Sequence, residues 1–112
     1  DYVHVDDLAR AHLLALAYLD DGGASLVANC GYGHGFSVRE VLDAARRITG
    51  IAFPIEEGAR REGDPAELVA DSRYIKALLG WAPRHDDLEY IVGTAWRWEQ
   101  RLRAIREDHE PA

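Results

Sequence analysis

The sequence contains no methionine, a single lysine (Lys76) and a single cysteine (Cys30). A lone cysteine excludes an internal disulfide framework and fits a reducing, cytoplasmic setting. No apolar run approaches the ~20 residues that cross a bilayer, and no basic-then-apolar leader opens the chain, so no membrane partner is expected. Internal repeats, linkers and low-complexity stretches are also missing, and 112 residues suffice for one small domain. Basic residues are in deficit: 13 Lys and Arg against 20 Asp and Glu leave a net charge of −7. That balance disfavours nucleic acid as a partner, because its phosphates call for a basic surface. What remains is ordinary globular material, 47% hydrophobic and 29% charged, enough for one modest core. With no methionine, and a dense apolar pattern directly after Asp1, the chain is expected to be a piece of a longer protein.

Periodicity divides the chain into alternating elements. Tyr2-Val3-His4-Val5 alternates like a strand, and Asp6 and Asp7 then place negative charge where a helix N-terminus favours it. The helix that follows carries Leu8, His12, Ala15, Leu16 and Leu19 on one face, and Leu13, Leu14 and Ala17 fill the other. Its second half is apolar nearly all round and should be covered on more than one side. After Asp20-Asp21-Gly22-Gly23, the segment Ser25–Cys30 reads as a buried strand. Ser37 and Glu40 spell a capping box for a second helix with Val38, Val41, Leu42, Ala45 and Ile48 inward and Gly50 beyond its end. Phe53–Glu56 reads as another strand, so residues 25–56 form a strand–helix–strand unit, expected to be parallel and right-handed. A polar loop over 57–66 leads to a brief extended piece, Leu68–Ala70. A short helix capped by Asp71 or Ser72 stops at Gly80 and Pro83. Asp86 and Asp87 open a last helix with the stripe Leu88, Ile91, Val92, Ala95, Trp98 (or Trp96) and Leu102.

Few residues offer chemistry. Among five histidines no pair has the four-residue helical spacing with an intervening glutamate, and Cys30 has no partner, so no metal site is expected. His12 falls on the inner face of its helix, as a satisfied core histidine does, and His4 lies on the first strand. Cys30 ends a buried strand and Ser37 serves as a cap, which leaves no nucleophile. Gly31-x-Gly33-x-Gly35 lies between a strand and a helix, as a dinucleotide loop does. Its last interval is too short for that fingerprint, and it reads as a tight turn into a capped helix. The loop Arg60-Arg61-Glu62-Gly63-Asp64-Pro65-Ala66 has two readings. An arginine fork binds phosphate, and an aspartate three residues on accepts from vicinal hydroxyls such as those of ribose. Alternatively, the Arg–Asp pair simply closes a solvated loop.

Three stretches together resemble the UDP-hexose 4-epimerases of the extended short-chain dehydrogenase/reductase family. They are Asp1-Tyr2-Val3-His4-Val5-Asp6-Asp7-Leu8-Ala9; Arg60 to Ala66 running on to Val69-Ala70-Asp71; and Leu79-Gly80-Trp81-x-Pro83. The middle stretch is the one most particular to epimerases. The resemblance implies an α/β parent: a Rossmann domain holding NAD, and a smaller C-terminal lobe closing over a UDP-sugar. This chain would be that lobe over residues 1–112, with the strand–helix–strand unit and flanking helices, frayed after about residue 105, and with the Rossmann domain absent. The implied reaction interconverts UDP-glucose and UDP-galactose. NAD oxidises the sugar at C4, the 4-ketose turns over in the site, and hydride returns to the opposite face. The family base is the Tyr of Tyr-x-x-x-Lys. Here the tyrosines are followed four positions on by Asp6, Gly22, Phe36, Leu78 and Thr94, so the chain holds no catalytic residue and is expected to bind no NAD.

By position, the resemblance gives Arg61 to the UDP diphosphate, Asp64 to the ribose and Tyr2 to the nucleotide pocket, with Glu62 and Gly63 shaping the loop. Leu68 stands where some members carry a site tyrosine. Implied partners are the UDP-sugar, the remainder of the parent and a second copy in a homodimer. Another nucleotide-sugar epimerase, dehydratase or decarboxylase of the family, or a non-catalytic nucleotide-binding module, stays open at this point.

Overall fold

The computed structural model describes residues 1–109, which form helices α1 (Val5–Asp20), α2 (Val38–Thr49), α3 (Arg73–Leu79) and α4 (Leu88–His109). No β-strand occurs among the described residues, which corrects the α/β expectation and its strand–helix–strand unit. Segments 2–5, 25–30, 53–56 and 68–70 join no ladder, and Val5 already belongs to α1. The alternation behind the expectation is nonetheless present. Leu26, Ala28 and Cys30 are partly buried while Val27 and Asn29 face out, Val27 at 92% exposure. Alternation sets which side chains turn inward, but a strand also needs a second backbone about 4.8 Å away, and local pattern carries no information about that. His12 is a second correction. It is exposed, and its Nδ1 contacts the Leu8 carbonyl at 2.8 Å instead of entering the core.

The chain divides into two units. The first comprises residues 1–36 and 55–86. Its helices α1 and α3 pack together, and its core is Ala11, Ile75 and Trp81, with Leu14, Ala28, Cys30 and Leu79 packed against them. Burial raises the Cys30 thiol above its ordinary pKa, which suits a packing role. Helix α1 starts on His4, whose Nδ1 accepts from the Asp6 N–H at 3.0 Å, with Asp6 and Asp7 in the first turn. One flank of α1 stays open: Leu13, Leu16 and Leu19 are 66%, 61% and 48% exposed. Gly80, in the left-handed conformation, ends α3 and delivers Trp81 into the core.

The second unit comprises residues 37–54 and 87–109, in which α2 packs on α4. The capping box forms as the sequence predicts: Ser37 Oγ accepts from the Glu40 N–H at 3.1 Å, and Glu40 Oε2 accepts from the Ser37 N–H at 2.6 Å. Ala44 is fully buried. On α4 it is Trp96 that is partly buried, whereas Trp98 is 54% exposed. Helix α4 continues to His109, past the residue where fraying is expected, and Pro111 lies outside the described residues. No helix of the described residues is long and apolar enough to cross a membrane. Ser37→Ala is expected to cost about 1 kcal/mol of stability by removing the cap. Denaturant unfolding followed by circular dichroism checks this, and an unchanged midpoint would mean that the box contributes nothing.

Candidate functional site

The loop singled out by sequence is built around a tight turn. The Asp64 N–H donates to the Arg61 carbonyl at 3.4 Å, with Glu62 and Gly63 at the corner. Gly63 has a φ of 83°, a conformation that residues with a Cβ rarely adopt. The turn brings Arg61 and Asp64 side by side: Arg61 Nε donates to Asp64 Oδ2 at 2.9 Å. Arg60 adds a bond from Nη2 to the Asp64 carbonyl at 3.3 Å. Among the described residues only Nε of Arg61 is engaged, and the side chain is 85% exposed, which leaves both terminal amino groups open. Exposed pairs of this kind contribute about 0–1 kcal/mol, so an anion that met the guanidinium would displace little. Both chemical readings of the loop therefore describe one geometry, a closed turn presenting an open arginine fork beside a carboxylate.

Tyr2 is placed by its neighbours. The Asp1 carboxylate accepts the Ala70 N–H at 2.5 Å, which ties the start of the chain to the segment leaving the 60–66 loop. Gly31 closes against the same spot, since a Cβ there would lie 3.0 Å from the Ala70 Cβ and 3.1 Å from Asp1 Oδ2. On the other side, the His4 N–H donates to the Tyr32 hydroxyl at 2.9 Å. Tyr2 itself is half-buried and makes no hydrogen bond with Arg61 or Asp64.

Behind Tyr2 lies a buried polar centre that sequence reasoning missed. Asp7, with 0% exposure, accepts from the Tyr32 hydroxyl at 2.7 Å and from the N–H groups of Arg84 and His85 at 2.8 and 2.9 Å. Its backbone carbonyl accepts from Trp81 Nε1 at 2.9 Å. Burial pushes the Asp7 carboxyl up, but these donors outweigh it and hold the group below its ordinary value of 3.8. Tyr32 is pushed up to about 12 by burial and by the Asp7 carboxylate. From sequence, Asp6 and Asp7 look alike as helix-start acids. Only distant residues, Tyr32 and the Trp81–His85 segment, make one of them a buried hub.

Two groups of residues bear on cofactors. In the glycine loop, a Cβ at Gly31 would meet Ala70 and Asp1 and one at Gly35 would come 2.9 Å from Val69, whereas Gly33, with a φ of 83°, meets nothing within 4 Å. The chain carries neither the glycine spacing of the dinucleotide fingerprint nor a Tyr-x-x-x-Lys pair. His4, Asp6 and His85 bring potential ligand atoms within 4.8 Å of one another. Nδ1 of His4, however, already accepts the Asp6 N–H that caps α1, which takes one lone pair from the set.

No protein-family model matches the chain. It is 52% identical over 100 residues to the UDP-glucose 4-epimerase of Lacticaseibacillus casei, a stretch making up 89% of this chain and 30% of that enzyme. A crystal structure of a UDP-glucose 4-epimerase superposes with a TM-score of 0.86 at 48% identity, covering 90% of this chain and 31% of its own. The UDP-glucose 4-epimerase of Stenotrophomonas maltophila, solved with bound NAD and formylated UDP-arabinopyranose, gives 0.85 at 39% identity, covering 94% of this chain and 31% of its own. The chain thus spans about 30% of the length of these relatives, and over that span it is similar in sequence and fold to the C-terminal part of UDP-glucose 4-epimerases.

Proposed function

We propose that the chain is the UDP-sugar-binding lobe of a UDP-glucose 4-epimerase. The observation that carries this reading is the Arg61–Asp64 turn, which presents an open arginine fork and a carboxylate within a stretch about half identical to such enzymes. In this reading the Arg61 amino groups take diphosphate oxygens, and Asp64, with Oδ1 to spare, accepts from the ribose hydroxyls. Tyr2 borders the nucleotide, while Glu62 and Gly63 set the turn. The chain's own work is to bind and orient; NAD and the catalytic base belong to the remainder of the parent, which we infer to be a cytoplasmic homodimer.

The test is turnover of UDP-galactose to UDP-glucose. Full-length protein with NAD is expected to catalyse it, and residues 1–112 with NAD are not. An inactive full-length protein, or enzyme-dependent turnover by the isolated chain, would contradict the proposal.

The open flank of α1 fits a lobe that is covered by the rest of its parent. Leaving ~400 Å² of apolar surface uncovered costs on the order of 10 kcal/mol, comparable with the whole stability of a small domain. The isolated chain is therefore expected to self-associate at micromolar concentration in light scattering. A compact 12.5 kDa monomer with a sharp melt would favour a self-sufficient nucleotide-binding module.

A further inference from the structure

We propose that Tyr32 and Asp1 are positioning residues for the nucleotide pocket, holding the backbone at Tyr2 between two hydrogen-bonded anchors; this rests on the UDP-sugar reading above. The Tyr32 hydroxyl is not free to turn. Its one proton goes to Asp7 Oδ2 at 2.7 Å, so its lone pairs are left to meet the His4 N–H at 2.9 Å. Asp7 is itself fixed by the N–H groups of Arg84 and His85, and Tyr32 is 7% exposed. The anchor at His4 is thus set from behind by a fully buried carboxylate. On the other side of Tyr2, Asp1 Oδ2 takes the Ala70 N–H at 2.5 Å, and the bare backbone of Gly31 lets the glycine loop close against that bond. Ala70 follows Asp64 by six residues, so the same bond tethers the loop that carries Arg61. Neither Tyr32 nor Asp1 need touch the ligand. Each fixes where Tyr2, and the end of the 60–70 segment, stand when it arrives.

Tyr32→Phe keeps the ring and removes the hydroxyl, and Asp1→Ala removes an exposed side chain with its bond to the Ala70 N–H. In the full-length enzyme each is expected to raise KM for UDP-galactose about three- to tenfold, the scale of one lost hydrogen bond, with kcat and bound NAD within about twofold of wild type. If Tyr32→Phe does not fold, Asp1→Ala decides alone. A purely structural role would lower the unfolding midpoint and leave KM of the folded enzyme unchanged; that result, or a fall in kcat at constant KM, overturns the proposal. Arg61→Ala in the same assay separates the two levels. If Arg61→Ala raises KM and the anchor variants do not, positioning fails alone. If Arg61→Ala leaves KM unchanged, the UDP-sugar reading fails, and positioning with it.

Discussion

Replacing Arg61 with alanine in the full-length protein is expected to weaken UDP binding by ~1.5–3 kcal/mol, about ten- to a hundredfold in Kd. The effect is large because the lost contact is charge-assisted and because nothing nearby substitutes for it in the same geometry. Arg60 is turned to the Asp64 carbonyl. The cost to the fold should be small, since the Arg61–Asp64 pair is exposed on both sides. On the proposed reading NAD content should not change, because the loop would serve the substrate side. Calorimetric titration with UDP decides the matter, and equal affinity in variant and wild type would make the pair a loop closure and nothing more. Lysine at this position should recover only part of the loss, because it keeps the charge without the planar fork.

Asp7→Ala is expected to be the most damaging single change to the fold, at about 3–5 kcal/mol. It strands the N–H groups of Arg84 and His85 and the Tyr32 hydroxyl, all of which point at the space the carboxylate filled. Denaturant unfolding should show a clearly lower midpoint, whereas a change below about 1 kcal/mol would mean that water or a rearranged loop satisfies those donors. The same carboxyl predicts an acid limb. Its folded pKa lies below the ordinary 3.8, so its contribution is present in full above that value and is lost as pH falls from there through the folded value. Wild type should lose stability below about pH 4 more steeply than Asp7→Asn, which has no carboxyl to protonate.

How far these features are legible in the sequence depends on how local their causes are. The α2 capping box needs only Ser37, Glu40 and the chain between them, and it forms as predicted. The Arg61–Asp64 turn is equally local, set by Gly63 and a three-residue reach, and its two side chains meet. The strands failed because pairing is non-local: Leu26, Ala28 and Cys30 turn inward as alternation demands, yet no ladder forms among the described residues. His12 failed because the apolar residues around it left no room to tell a core face from an uncovered one, and α1 keeps Leu13 and Leu16 exposed as well. Asp7 was invisible because its partners lie 25 and 77–78 residues away. The glycine spacing and the missing Tyr-x-x-x-Lys pair are properties of the sequence itself.

The most direct measurement is a crystal structure of the full-length protein with UDP. Arg61 is expected within hydrogen-bond distance of the diphosphate oxygens, Asp64 within reach of the ribose hydroxyls, and Tyr2 against the nucleotide, with the Asp1–Ala70 and His4–Tyr32 bonds intact. UDP bound elsewhere, with the Arg61–Asp64 turn facing solvent, would contradict the assignment of this chain as the UDP-sugar-binding lobe.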